Sequence, residues 1–133
     1  MAPAYIDSSA VLKLALHEPE TPALEAYLVG CEGLVSSRLA VLECRRAAGR
    51  VSHARVLQTI DDVLDAIYLL DVTPAILEGA ASAEPPLLRS LDAIHLATAL
   101  SIGDAQVEVI TYDQRFADAA RANGVTVVQP GRR

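Results

Sequence analysis

The chain is expected to fold as an α/β domain, a mostly parallel sheet covered by helices on both faces, and three features of its 133 residues predict it. Short apolar runs of strand composition alternate with longer segments of helical period along the whole chain. Prolines and glycines fall at the joints between those segments. Apolar residues make up 52% of the chain and aromatics only 4%, with no Trp, a composition suited to close packing of helices on a sheet of branched residues.

The elements follow in order. Residues 4–7, "AYID", read as a buried strand, and "SSAVLKLALHE" as a helix opened by the hydroxyls of Ser8 and Ser9, with Val11, Leu14 and Ala15 on its inner face. Lys13 and His17 share a face assigned to solvent. "ETPALEAYLVG" places Pro22 in a first turn and Gly30 just past a helix end. "GLVSS" is a strand whose Ser36 or Ser37 caps the next helix, "RLAVLECRRAAGR", with a predicted apolar stripe of Leu39, Leu42 and Ala47. "ARVLQTIDDVLDAI" repeats apolar residues at helical spacing before "YLLDV" turns to strand. "TPAILEGAA" is a helix capped by Thr73, with Pro74 first in it. "SLDAIHLATALSIG" is expected to be capped by Ser90 and closed by Gly103. "VEVITYD" is a strand ending in an acid, "QRFADAARANG" a helix closed by Asn123-Gly124, and "VTVVQP" the last strand.

Composition narrows the function. One domain over residues 1–133 is expected from the length. No apolar run approaches a membrane span, and "MAPAYIDSS" has no signal-peptide pattern, so a cytoplasmic protein without a membrane role is expected. Cys31 and Cys44 lack metal-ligand spacing and are expected to be reduced and unpaired. The net charge of −6 argues against a passive coat for nucleic-acid phosphates. It leaves open a protein whose carboxylates hold divalent cations, because bound ions reverse the local field.

In a parallel sheet, ligands sit beyond the carboxyl ends of the strands, which singles out Asp7 and Asp113. Each also suits a helix cap, and locally the two roles are evenly balanced. Asp92 lies in the first turn of an apolar helix, where the helix dipole alone favours an acid. Glu43 has almost only apolar neighbours and belongs at the edge of a core. A cluster of such carboxylates repels itself unless a hard cation neutralises it, and Mg²⁺ with oxygen ligands is the usual solution. Ions so held activate water and stabilise the leaving oxygen of a phosphodiester.

At these four positions the chain resembles the PIN-domain nucleases, and most closely the VapC-type toxin ribonucleases. The resemblance runs through "YIDSSAVLKL", "LAVLE", "LDAIHLATAL" and "TYDQRFADAARANGVTVV", in order and over essentially the whole chain. It implies a three-layer α/β/α sandwich around a mostly parallel sheet. It further implies Mg²⁺- or Mn²⁺-dependent cleavage of RNA, a cognate antitoxin and a homodimer. Carried over by position, Asp7, Glu43, Asp92 and Asp113 are the catalytic, metal-holding acids, with Asp118 the rival for the fourth place. Ser8, Ser9 and Thr111 are candidates to orient these acids, and Arg45, Arg46 and Arg115 to hold RNA phosphates. Tyr112 and Phe116 are the candidate stacking platforms. His95 is assigned to core packing.

Two alternatives stand beside this reading. One is a PIN-like interaction module without catalysis, disfavoured by the retention of all four acids. The other is a phosphoryl-transfer protein with a phosphorylated aspartate. Against it, the residue two after Asp7 is Ser9 rather than an acid, and no lysine ends a late strand.

Overall fold

The computed structural model describes residues 3–51, 53–103 and 106–132. Five strands, β1 (Ala4–Ile6), β2 (Leu34–Ser37), β3 (Tyr68–Leu70), β4 (Glu108–Ile110) and β5 (Thr126–Val128), form one sheet in the order β3-β2-β1-β4-β5. Every pairing is parallel. The connections carry α1 (Ser8–Ala15), α2 (Thr21–Val29), α3 (Leu39–Ala48), α4 (Ala54–Asp65), α5 (Pro74–Ala81), α6 (Ser90–Ser101) and α7 (Gln114–Ala122). The chain steps outward from β1 to β2 and β3, then returns to place β4 on the other side of β1. Strand order therefore reverses between β1 and β4, and the crevice beyond their carboxyl ends is where such sheets bind ligands.

Side-chain alternation along β1 builds two cores. Ala4 and Ile6 face Val11, Leu24, Cys44 and Ile60 from α1 to α4. Tyr5, between them, points the other way, to Leu96, Val109, Phe116 and Ala119 of α6, β4 and α7. The result is the expected three-layer arrangement of helices, sheet and helices. Among the described residues no helix is long and apolar enough to cross a membrane.

Several local expectations hold, for the reasons given. Pro22 and Pro74 sit in first turns, and the Thr73 hydroxyl accepts from Ile76 N–H. Gly103 and Gly124 follow helix ends with positive φ, 72° and 77°, where a side chain would be strained.

Four others are corrected. Ser8 and Ser9 lie inside α1, and its cap is Asp7, whose carboxylate reaches Ala10 N–H. Arg89 occupies the cap position of α6 with no side-chain bond, so Ser90 is the first helical residue. The buried stripe of α3 is Ala40, Cys44 and Ala48 rather than Leu39, Leu42 and Ala47. Small side chains let the helix sit close to its neighbours, and Leu42 is left 56% exposed.

Lys13, assigned to solvent, is buried. Its Nζ donates to Glu18 at 2.8 Å and Glu20 at 3.3 Å and lies 5.0 Å from the Tyr112 ring centre. The turn at His17, with φ 49°, brings the two glutamates back over α1; His17 itself is exposed.

Candidate active site

Asp7 stands at the strand reversal, one residue past β1, and is 4% exposed. Its Oδ1 accepts from the Ser9 hydroxyl at 2.6 Å and from Ala10 N–H at 3.2 Å. Its Oδ2 accepts from the Thr111 hydroxyl at 2.6 Å. Thr111 directly follows β4, so one carboxylate ties together the ends of the two strands between which the order reverses. The network continues outward: Ser9 Oγ accepts from Tyr112 N–H at 2.9 Å, and Thr111 Oγ1 from Asp113 N–H at 3.0 Å. Asp7 is thus both a helix cap and the floor of the crevice. Ser8 makes no hydrogen bond to it.

The other acids come from three helices. Asp113 caps α7, its Oδ1 accepting from Arg115 N–H at 2.9 Å and Phe116 N–H at 3.2 Å. Its Oδ2 makes no hydrogen bond among the described residues. Asp92, in the first turn of α6, is half-buried and makes none at all there. Glu43, in the middle of α3, places Oε1 2.6 Å from His95 Nε2, with its side chain 22% exposed.

The charges of the other three acids bear on Asp92. Burial pushes the Asp7 carboxyl above the ordinary aspartate range, opposed by its hydrogen bonds from Ser9 and Thr111. Asp92 is pushed up by burial first and by the charge of Asp113 next, with Asp7 and Glu43 adding to it and His95 opposing. Asp113 therefore belongs to this group. Asp118 is exposed, accepts from Gln114 at 2.7 Å and lies 3.7 Å from Arg121.

Among the described residues no three acidic, histidine or cysteine groups form a ready-made metal cage. The donor set nevertheless fits Mg²⁺ or Mn²⁺. It is all oxygen, it is mutually repulsive without a cation, and it leaves both Asp92 oxygens, one of Asp113 and one of Glu43 without hydrogen bonds among the described residues. A small hard ion is held in this way, by one or two carboxylates with water and substrate phosphate completing its shell. The cysteines supply nothing: Cys31 and Cys44 are both free, and burial pushes the Cys44 thiol up to about 12.

The candidate substrate contacts divide. Arg45 and Arg46 are exposed on the last turn of α3. Arg115 is exposed at the start of α7, two residues from Asp113. With Arg89, three residues before Asp92, it lines a cavity of about 580 Å³ between the 84–89 loop and α7. That cavity lies beside the four acids rather than on them, and its remaining wall is largely apolar, with Pro85, Leu87 and Leu88. Tyr112 and Phe116 are not stacking platforms, because they are 6% and 1% exposed. The Tyr112 hydroxyl is spent on the Pro130 carbonyl, at 2.7 Å.

His95 is buried as expected, but packing is only part of its role, since it bonds Glu43 on one side and the Tyr5 hydroxyl on the other, each at 2.6 Å. The signal in the sequence was its place three residues after Asp92, on the same helix.

A family model described as the PIN domain matches residues 4–122. Ribonuclease VapC46 of Mycobacterium tuberculosis is 42% identical, over 98% of this chain and 99% of its own length. Ribonuclease VapC35 of the same species is 37% identical, over 96% of each. Solved structures of other proteins share the fold. The M. tuberculosis VapC20 toxin, described as cleaving the sarcin-ricin loop, has a TM-score of 0.72 at 16% identity, covering 96% of this chain and 99% of its own. A toxin–antitoxin complex from Klebsiella pneumoniae has a TM-score of 0.71 at 20% identity, covering 96% and 97%. With the sheet order, the family model and relatives matched along nearly their full length in agreement, the chain belongs to the PIN domain family, alongside its VapC ribonucleases.

Proposed function

We propose that the chain is a metal-dependent endoribonuclease, the toxin of a toxin–antitoxin pair, working as one PIN domain over residues 1–133. What supports this is a chain 42% identical to a named ribonuclease along nearly its full length, in which the charges of Asp113, Asp7 and Glu43 all bear on Asp92. The chemistry that Mg²⁺ or Mn²⁺ supplies, when bound, is activation of water and neutralisation of charge on the phosphodiester. Asp7, Glu43, Asp92 and Asp113 are the residues that would hold the ion. The Ser9 and Thr111 hydroxyls would fix the position of the Asp7 carboxyl for that task.

The arginines have a separate task. Arg115 and Arg89 contact the phosphates of RNA entering along α7, a positioning role that the net charge of −6 leaves to few residues. RNA with unpaired bases is the substrate class, since a shallow crevice reaches a strand that can be splayed out. Cleavage leaves 5′-phosphate and 3′-hydroxyl ends. An antitoxin partner, a homodimer and a cytoplasmic site of action complete the proposal. The antitoxin partner is supported by a structural neighbour solved as a toxin–antitoxin complex.

The test is incubation of purified protein with single-stranded RNA in Mg²⁺, Mn²⁺ or EDTA, followed by sequencing of the ends. Cutting is expected with either ion and none with EDTA. Asp7→Asn and Asp92→Asn are expected to slow it by at least about 100-fold, two tenfold steps out of the several kcal/mol a metal site supplies. Wild-type rates in both variants would sink the proposal.

A further inference from the structure

Glu43 is the one acid of the four whose backbone lies deep in a helix rather than at a helix start or strand end, so neither a cap nor a strand terminus holds its carboxylate. What holds it is a buried strut. His95, 2% exposed, places Nε2 2.6 Å from Glu43 Oε1 and Nδ1 2.6 Å from the hydroxyl of Tyr5, which is fully buried in the central strand. The ring is gripped on two sides, edge-on to Tyr5 with centroids 5.9 Å apart and tilted against Phe116 at 5.7 Å. In the neutral ring one nitrogen accepts and the other donates, and the phenol, a donor, faces Nδ1. That leaves Nε2–H to donate to Glu43.

The strut also crosses layers. Cys44, next to Glu43 on α3, packs in the core on one face of the sheet, while Leu96, next to His95 on α6, packs in the core on the other. The Glu43–His95 bond therefore bridges the two helical layers over the end of the sheet. A histidine that merely needed its two nitrogens satisfied could have found both partners within its own core. Here one partner is core and the other is a partly buried acid, one oxygen of which is pinned while the other makes no hydrogen bond among the described residues.

We propose that His95 is a positioning residue, which anchors one oxygen of Glu43 to the Tyr5 hydroxyl in the core and thereby turns the other toward a divalent cation at the acid cluster. The inference rests on the metal-dependent reading above and adds to it a residue that touches neither ion nor RNA. Groups that hold a ligating carboxylate typically account for a 10- to 100-fold effect on metal affinity, roughly the size expected here.

Calorimetric titration of Mn²⁺ into wild type, His95→Leu, His95→Gln and Tyr5→Phe separates positioning from packing. His95→Leu is expected to weaken Mn²⁺ binding by about 10- to 100-fold. His95→Gln, which keeps a donor for Glu43 and an acceptor for Tyr5, is expected to recover most of that loss. A residue that only fills space would give the reverse order, since leucine suits an apolar core better than glutamine. The proposal is overturned if His95→Leu binds Mn²⁺ like wild type, or if His95→Gln is no better than His95→Leu. Should His95→Leu fail to fold, Tyr5→Phe, which removes one hydroxyl, decides: several-fold weaker binding supports the strut, and unchanged binding overturns it. Wild-type protein that takes up no Mn²⁺ would overturn the metal-dependent reading as well, which tells the two failures apart.

Discussion

Thr111 shows how much a single hydroxyl does at this site. Fully buried, it donates to Asp7 at 2.6 Å and accepts from Asp113 N–H at 3.0 Å, so two of the four acids are aligned through one atom. Thr111→Val keeps the shape and strands both partners, a buried carboxylate oxygen and a backbone N–H. The expected loss is about 1–3 kcal/mol of stability, read by urea unfolding, because an unsatisfied buried group costs its full desolvation. Unchanged stability would mean that water takes over both bonds. Asp92 is the opposite case: it makes no hydrogen bond among the described residues and is crowded by three like charges. Its position makes sense as a group waiting for a cation, whereas Asp7 is already satisfied by the protein.

At the scale of elements, the site depends on how the ends of β1 and β4 are braced from behind. The segment after β5 does this. Gln129 Nε2 donates to the Thr111 carbonyl at 2.9 Å, Tyr112 donates to Pro130, and Arg132 Nη1 donates to the Tyr112 carbonyl at 2.9 Å. Gly131 closes the strap with φ 84°, and a Cβ there would stand 3.0 Å from Glu20 Cα, against backbone that cannot give way. Gly131→Ala therefore combines a left-handed conformation with a clash, and an expected cost of about 1–3 kcal/mol. Faster amide exchange at 111–113, measured with the metal absent, would show that loosening the strap reaches the acid crevice. Exchange confined to 129–132 would show that it does not.

For the whole molecule, the acid crevice makes stability depend on pH and on cations. The Asp7 and Asp92 carboxyls are raised above the ordinary value of 3.8 in the folded state, by burial and, for Asp92, by neighbouring charge. The folded chain therefore holds protons that the unfolded chain has released. The stabilisation from these two groups is complete below the ordinary value and is lost as pH rises through the raised ones. In EDTA, the melting temperature is expected to fall along that branch as pH approaches neutral. Asp92→Asn should flatten the branch and raise the melting temperature at pH 7. Mn²⁺ should restore stability in wild type, by about 2.7 kcal/mol at a hundredfold excess over its dissociation constant, and much less in Asp92→Asn. A melting temperature of wild type indifferent to Mn²⁺ at pH 7 would contradict this account.

The sequence by itself determined the alternation of strands and helices, the joints at Pro22, Pro74, Gly103 and Gly124, and the positions of four acids in an order shared with a known family. These are local matters: period, backbone freedom and residue type are written in consecutive residues. It did not determine which group caps α1, since an aspartate and two serines in a row all suit the task. Nor did it place Lys13, which is buried because a turn returns two glutamates to it, or Tyr112 and Phe116, which lie inside rather than facing a substrate. Only the tertiary structure decided that the charge of Asp113 bears on Asp92, and that His95 links Glu43 to Tyr5 across the end of the sheet. The physical reason is distance along the chain: Tyr5, Glu43 and His95 belong to three elements in three layers, and their hydrogen bonds exist only once the sheet has brought those layers together.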